Sequence, residues 1–270
     1  YAIMNQNQAI QLINRSVRNL KAYHLEPEDA EIKINQNENP WDWSVDVKES
    51  VSGFSRERPW NRYPDFVPTV LKQRLANYIG VAESSIIIGN GSNEILLVLL
   101  ISLMDRERPV IISQPTFTVY RLLVSGLGGR ESCVELRSDL SFDVDAICRS
   151  ARDNPGALMI LCSPNNPTGS VLSREEIVSI LQVHQGFLIL DQAYVEFGGF
   201  NAVELIDRFP NLIVTRTFSK ALGGAGLRMG YLIGNSEVVA EINKIKLPYN
   251  VNFFTERAAL AILGQTAQVA

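Results

Sequence analysis

Lys220 stands in a glycine-rich and otherwise uncharged stretch, 217–227, that follows the apolar run 212–214, and Arg228 stands eight positions on. A lysine so placed is open to desolvation. Desolvation lowers its pKa toward neutrality and makes the amine a nucleophile toward an aldehyde. The planar fork of an arginine matches a phosphate. Together the two suit a phosphorylated aldehyde. From these residues alone, a lysine on a loop beside a glycine turn is an equally good reading.

Three further strings carry groups of the right types. Gly89-Asn90-Gly91-Ser92-Asn93-Glu94 precedes a long apolar helical pattern, and backbone N–H groups at such a helix start hold phosphate. It lacks the third glycine of GxGxxG, and no Gly-Lys pair exists to make a P-loop. The plainer reading is an Asn-Gly turn with a Ser or Asn cap. Ser163-Pro164-Asn165-Asn166-Pro167-Thr168-Gly169 has two X-Pro bonds that admit the cis form and reads as a stiff turn. Asp191-Gln192-Ala193-Tyr194 puts an acid at the end of an apolar run, costly to bury unless paired. A pyridinium nitrogen would pair it, and so would a salt bridge or a helix N-cap role.

The elements that must position these groups are legible in the hydropathy. Short apolar runs at 86–88, 110–113, 158–162, 187–190, 212–214 and 231–233 alternate with helical patterns at 68–79, 93–104, 173–183 and 237–245. Strands that are apolar throughout, alternating with helices, predict an α/β fold with a mostly parallel sheet covered on both faces. Ligands of such sheets collect at the carboxyl ends of the strands. The four strings above fall there. Ahead of the alternation, residues 1–30 read as an amphipathic helical arm leading into an extended segment, with Ile10, Leu12, Ile13, Val17 and Leu20 at roughly helical spacing. Residues 35–65, rich in Asn, Pro, Trp and Ser, read as a long loop.

Composition narrows the function classes. The 270 residues are 46% hydrophobic and 20% charged, an ordinary globular balance with room for about two domains. A net charge of −4 and a pI of 5.4 argue against a nucleic-acid or anionic-membrane footprint. Cys133, Cys148 and Cys162 form no CxxC pair, and only His24 and His184 supply imidazole, so neither a disulfide framework nor a metal site is expected. The apolar run 95–101 is far short of the ~20 residues that span a bilayer. No secretory signal is read at the start, and a cytoplasmic location is the expectation.

Taken as a set, the strand-end groups match one ligand, pyridoxal 5′-phosphate. Lys220 would be its Schiff-base residue. Asp191 would keep the pyridine nitrogen protonated, Asn166 and Tyr194 would bond the 3′-oxygen, and Phe117 would stack on the ring. Gly91, Ser92, Thr217, Ser219 and Arg228 would cup the phosphate, with Asn93 in the same turn.

The chain resembles the fold-type I pyridoxal-phosphate aminotransferases, most closely the histidinol-phosphate aminotransferases. The resemblance rests on Asn37-Glu38-Asn39-Pro40, Tyr63-Pro64-Asp65, the 89–94 string, Pro115-Thr116-Phe117, the 164–169 string, 191–194, 216–220, 225–231 and 248–252, in the family's order. It implies a three-layer large domain of mixed, mainly parallel sheet, plus a smaller α/β domain mostly missing from this chain. The implied divisions are 1–35, N-terminal arm and part of the small domain; 36–65, a segment crossing the active site; 66–250, the large cofactor-binding domain; and 251–270, the start of a helix leading to the C-terminal small domain. It also implies a homodimer whose partner lends Tyr63 to the phosphate, and substrate contacts from Asn37, Glu38 and Asn39.

The implied activity is transamination of histidinol phosphate with 2-oxoglutarate, in histidine biosynthesis. Lys220 would act by a ping-pong cycle with Asp191 and Tyr194 as its catalytic companions. An aromatic amino-acid aminotransferase, a threonine-phosphate decarboxylase, a pyridoxal-phosphate-binding module without turnover and a nicotinamide-binding protein are the alternatives. Three departures from the family pattern are expected near the ligand: Gln192 for the usual glutamate, Trp41-Asp42-Trp43 for the more frequent tyrosine-glycine-proline, and Leu222-Gly223-Gly224. The family's late carboxylate-binding arginines have no counterpart before Ala270, so an incomplete chain is the expectation.

Overall fold

The structure is a computed structural model that describes residues 3–22 and 31–265. The extended segment expected after the arm falls on 23–30, and the expectation for 266–270 likewise lies outside the described residues. Helices α1 (Gln6–Gln11), α2 (Arg15–Arg18), α3 (Val45–Glu57) and α4 (Thr69–Ile79) come first. They are followed by β1 (Ile86–Gly89), α5 (Ser92–Leu103), β2 (Pro109–Gln114), α6 (Val119–Gly126), β3 (Arg130–Glu135), α7 (Val144–Asp153), β4 (Leu158–Cys162) and α8 (Arg174–Val183). Then come β5 (Leu188–Asp191), β6 (Leu212–Thr217), β7 (Gly230–Ile233), α9 (Ser236–Ile242) and α10 (Phe253–Leu263).

The strands form one sheet in the order β1-β7-β6-β5-β4-β2-β3. β7 runs antiparallel to both its neighbours and the other pairings are parallel. Alternation along each strand splits the apolar side chains into two cores. Ile88, Met159, Leu161, Leu190 and Val214 pack with residues of α4, α7, α8 and α10. Ile87, Ile112, Ile160, Ile189 and Ile213 pack with α5, α6 and α9. Each such side chain, fully buried, stabilises the fold by about 1.5–3 kcal/mol, so the strands are fixed by both layers. Among the described residues no helix is long and apolar enough to cross a membrane.

Three readings of the sequence need correction. β3 was hidden because it is the edge strand, Arg-Glu-Ser-Cys-Val-Glu, with Val134 its one buried residue. The expected loop 35–65 contains α3. Its stripe Val47, Val51 and Phe54 has i, i+4, i+7 spacing, and Phe54 meets Phe253 of α10 edge-on at 6.4 Å. The arm is two short helices with Ile10, Leu12, Ile13 and Val17 exposed, because only its end is seated, through Ser16 on the Gly126 carbonyl at 3.1 Å.

Candidate active site

Strand alternation turns Asp191, the last residue of β5, onto the α5–α6 face, in register with Cys162 of β4 and Thr215 of β6. It is 3% exposed. Its partners are neutral donors: the Tyr120 hydroxyl donates to Oδ2 at 2.6 Å and the Ala193 backbone N–H to Oδ1 at 3.1 Å. Burial pushes the carboxyl pKa up, while the Tyr120 hydroxyl, the Ala193 N–H and the Thr215 hydroxyl pull it back. Among the described residues it forms no ion pair, and it caps no helix. Both plainer readings of this acid therefore fall away. A buried carboxylate without a cation has room for a cationic partner, and a protonated ring nitrogen would supply one.

A second cluster gathers at the start of α5. Gly91, the N-cap, has φ +82, and a Cβ there would lie 2.5 Å from Arg228 Nη2. Across from it, a Cβ on Gly230 would lie 2.2 Å from the Ser92 backbone nitrogen. Only glycine allows this approach at either place. Arg228 Nη1 donates to Ser219 Oγ at 3.3 Å and to the Ala225 carbonyl at 3.1 Å. The Ser219 N–H bonds Thr217 Oγ1 at 3.1 Å. Helix N–H groups, a hydroxyl and a guanidinium thus converge in a cradle that fits a phosphate. Asn93 is exposed on the first turn of α5.

Lys220 follows β6, and its amine lies 5.4 Å from the centre of the Tyr194 ring. It donates to the carbonyls of Gln36 at 2.7 Å and Asn37 at 3.2 Å. Burial pushes the amine's pKa down, Glu38 opposes this, and Arg228 adds to the lowering. The segment that supplies those carbonyls lies across the strand ends. Asn37 Nδ2 donates to the Tyr194 hydroxyl at 3.2 Å, Asn39 Nδ2 to the Ala221 carbonyl at 3.0 Å, and Trp43 Nε1 to the Leu222 carbonyl at 2.8 Å. Glu38 pairs with Lys33. Burial raises the Tyr194 pKa and the Asn37 contact lowers it. Between this segment and the 164–169 turn lies a cavity of about 740 Å³, lined by Asn37, Trp41, Asn166, Tyr194 and Phe197 among others.

Of the residues singled out in the sequence, the structure gathers Lys220, Asp191, Tyr194, Asn166, Thr217, Ser219, Arg228, Gly91 and Ser92 at one edge of the sheet. Phe117 is half-buried beside them, edge-on to Tyr120 at 5.5 Å and 85°. Tyr63 is apart from this group, 76% exposed and stacked on Tyr249 at 4.6 Å. Two of the departures read differently in three dimensions. Gln192 is buried with its side chain turned from the site, donating to the Phe200 carbonyl at 2.6 Å and accepting from Arg216 at 3.2 Å and the Ala202 N–H at 3.3 Å. Trp43 packs under the Leu222–Gly224 turn, while Trp41 is 81% exposed at the cavity wall.

Three residues were missed. Tyr120 was not singled out, although its spacing of three from Phe117 at a helix start is the signal that the two side chains can meet. Asn165 holds the 164–169 turn against the Phe117 loop, bonding Thr116 at 2.6 Å and the Pro115 carbonyl at 2.9 Å. Asn250 ties the glycine turn through the Ile88 carbonyl at 3.2 Å and Glu94 at 2.9 Å. The last two lie within the 163–169 and 248–252 strings, but nothing local in those strings marks their bonding partners.

The buried acid lacking a cation, the cradle of phosphate-binding groups and the lysine with lowered pKa fit pyridoxal 5′-phosphate. Comparisons with known proteins point the same way. The family described as Aminotransferase class I and II matches residues 30–270. The histidinol-phosphate aminotransferase of Chlorobaculum parvum is 42% identical over 240 residues, 88% of this chain and 68% of that protein. The crystal structure of histidinol-phosphate aminotransferase from Sinorhizobium meliloti in complex with pyridoxal-5′-phosphate superposes with a TM-score of 0.79 at 28% identity, over 87% of this chain and 64% of that one. The Clostridium acetobutylicum histidinol-phosphate aminotransferase gives 0.77 at 26%, over 87% and 70%. With the family pattern running from residue 30 onward and a close relative sharing two residues in five, the chain belongs to the class I and II aminotransferases.

Proposed function

We propose that this protein transfers the amino group of histidinol phosphate to 2-oxoglutarate, with pyridoxal 5′-phosphate as cofactor, in histidine biosynthesis. The observation that carries the reading is Asp191, buried without a cation at the end of β5, together with Lys220 after the neighbouring β6, whose amine pKa burial lowers; the substrate follows the relatives' activity. Bound cofactor supplies an electron sink for the pair left when the substrate Cα loses its proton.

The chain's own residues do the rest. Lys220 would hold the cofactor aldehyde through its amine, and the same amine, once free, would take the proton from the substrate Cα as general base. Asp191 keeps the ring nitrogen protonated, and Tyr194 with Asn166 bonds the 3′-oxygen. Arg228, Ser219, Thr217 and the Gly91–Ser92 turn, with Asn93 beside it, hold the phosphate, and Phe117 covers the ring. Asn37, Glu38 and Asn39 face the substrate from the overlying segment. The donor product leaves before the acceptor binds, a ping-pong order.

Tyr63 reaches the phosphate of a second copy. The exposed aromatic surface of Trp60, Tyr63, Phe66 and Tyr249 supports this, since contiguous apolar surface of this kind marks an interface. A protein assembled from Tyr63→Phe and Lys220→Ala chains tests it: the Tyr63→Phe defect appears only when that residue and Lys220 come from different copies.

The substrate is tested by kcat/KM for histidinol phosphate against phenylalanine. We expect a preference of at least about tenfold for histidinol phosphate, because the remote phosphate adds binding energy that orients Cα over Lys220. An equal or higher value for phenylalanine reassigns the protein to aromatic amino acids, and carbon dioxide release from threonine phosphate reassigns it to decarboxylation.

A further inference from the structure

Tyr120 is buried to 1% exposure, yet it brings a hydroxyl into an otherwise apolar part of the α5–α6 core. That hydroxyl donates to Asp191 Oδ2 at 2.6 Å. An unsatisfied hydroxyl there would be strongly disfavoured, so the two groups satisfy each other. The ring is fixed independently: Tyr120 stands in the first turn of α6, bonds back to the Phe117 carbonyl through its backbone N–H at 3.3 Å, and meets the Phe117 ring edge-on.

A carboxylate has about four acceptor sites on its two oxygens. Tyr120 occupies one on Oδ2 and the Ala193 N–H one on Oδ1. Cys162, in register beside Asp191, donates its own Sγ–H to the Pro164 carbonyl at 3.2 Å and so does not compete. We propose that Tyr120 is a positioning residue for the reaction: its hydroxyl pins one oxygen of Asp191 so that the remaining lone pairs are held ready for the cofactor's pyridine nitrogen.

This inference rests on the proposed function, since it needs the ring nitrogen as a further partner of Asp191. The groups that face Asp191 are Tyr120 from α6, Cys162 from β4, Tyr194 after β5 and the Thr215 hydroxyl from β6, with no lysine, arginine or histidine among them. With no cation to hold the carboxylate ionised, the Tyr120 hydroxyl does more than any other group to offset its burial. Burial and the Asp191 charge raise the phenol's own pKa well above its ordinary value, so it stays a donor through any assay range. Its removal therefore favours the protonated acid, which cannot pair a protonated nitrogen.

The test uses Tyr120→Phe, which keeps the ring and its contact with Phe117. Apoprotein is titrated with pyridoxal phosphate and with the analogue in which C–H replaces the ring nitrogen, following cofactor absorbance and protein fluorescence. We expect Tyr120→Phe to weaken pyridoxal phosphate about tenfold, the effect of one hydrogen bond to a charged group, and to leave the analogue's affinity unchanged. The pH at which pyridoxal phosphate affinity falls on acidification should move upward in the variant. Equal weakening of both ligands would make Tyr120 a merely structural residue and overturn the proposal, as would no change in either. Failure of the unaltered protein to bind pyridoxal phosphate would instead overturn the proposed function. Should Tyr120→Phe not fold, Asp191→Asn supplies the second arm: it must likewise weaken pyridoxal phosphate but not the analogue, and equal weakening of both overturns the proposal.

Discussion

The site has two halves made by different means. The half at the strand ends is built from residues whose positions are over-determined: Asp191 is bracketed by two parallel neighbours and by Tyr120, Gly230 passes so close to the Ser92 backbone that no side chain fits, and Gly91 holds a left-handed φ of +82. The half above it, residues 33–43, is mostly exposed and is held by hydrogen bonds to side chains and turn carbonyls: Asn37 to Tyr194, Asn39 to Ala221, Trp43 to Leu222, and Lys220 to the carbonyls of Gln36 and Asn37. A charge-handling site in a close-packed sheet edge does not have to reorganise as charge moves. A segment with few buried contacts opens at low cost. The stiff half therefore suits the cofactor, which stays, and the laid-over half suits substrates, which come and go.

If that division is right, the largest losses belong to the stiff half. Lys220→Ala should lower kcat by about 10⁴-fold or more, since it removes both the amine that holds the aldehyde and the proton carrier, while cofactor is still bound noncovalently. Borohydride reduction followed by peptide mapping checks the assignment, and label on Lys244 or Lys246 would refute it. Asp191→Asn should slow Cα proton transfer by about 10³-fold, because the acid bears on charge that develops in the transition state. Arg228→Ala should instead weaken cofactor retention by about 10- to 100-fold with kcat near normal at saturation, since the phosphate is unchanged by the reaction. Single-turnover rates at saturating cofactor separate the two, and equal rate losses would merge roles kept distinct here.

The stiff half was also the legible half. Its residues follow strands of four to six residues, and in a sheet covered on both faces each run ends where a ligand can sit, so Asp191, Asn166 and Lys220 could be placed at strand ends from spacing, while the roles expected of them came from the set and the family resemblance. The overlying half was not legible from spacing. Its anchors are single hydrogen bonds between positions about 180 apart in the chain, such as Asn39 to Ala221, and no local periodicity encodes them. α3 was lost for a related reason: its apolar stripe is three residues wide and faces α10, a partner far along the sequence. β3 and Gln192 show the limit from the other side. An edge strand can be charged and a buried residue polar whenever the fold supplies partners, and those partners are visible only in three dimensions.

Loosening the overlying half should leave chemistry nearly intact. Asn39→Ala removes the tie to the Ala221 carbonyl, and Trp43→Phe removes the tie to the Leu222 carbonyl while keeping the ring that packs under the turn. One such hydrogen bond is worth about 1 kcal/mol net, so each substitution should raise KM about fivefold and change kcat by less than about twofold. Steady-state kinetics at saturating cofactor read both constants. A fall in kcat matching that of Asp191→Asn would mean that the segment forms part of the chemical machinery and not a cover.

The smallest effect tests whether the stiff half is stiff because of the sheet as a whole. His184 is buried in the residue just after α8, a few residues before β5; its Nε2 bonds the Phe187 carbonyl at 3.2 Å and its Nδ1 has no partner among the described residues. Burial holds its pKa below the ordinary imidazole value. The folded state therefore resists the proton that the unfolded chain takes up near pH 6.5. For a group depressed in this way, the stability it allows is complete above that pH and is lost as pH falls, at no more than about 1.4 kcal/mol per pH unit for a single proton. His184→Gln keeps a donor for the Phe187 carbonyl but cannot titrate. Urea denaturation at pH 7.5, 6.5 and 5.5 should show the unaltered protein losing stability relative to His184→Gln below pH 6.5, while the two share the same kcat and KM at pH 7.5. A parallel loss in both proteins would show that another group carries the acid sensitivity. A loss of cofactor affinity in His184→Gln at pH 7.5 would show that the two ends of β5 are coupled, and that the stiffness of the Asp191 end is not set locally by Tyr120, Cys162 and Thr215.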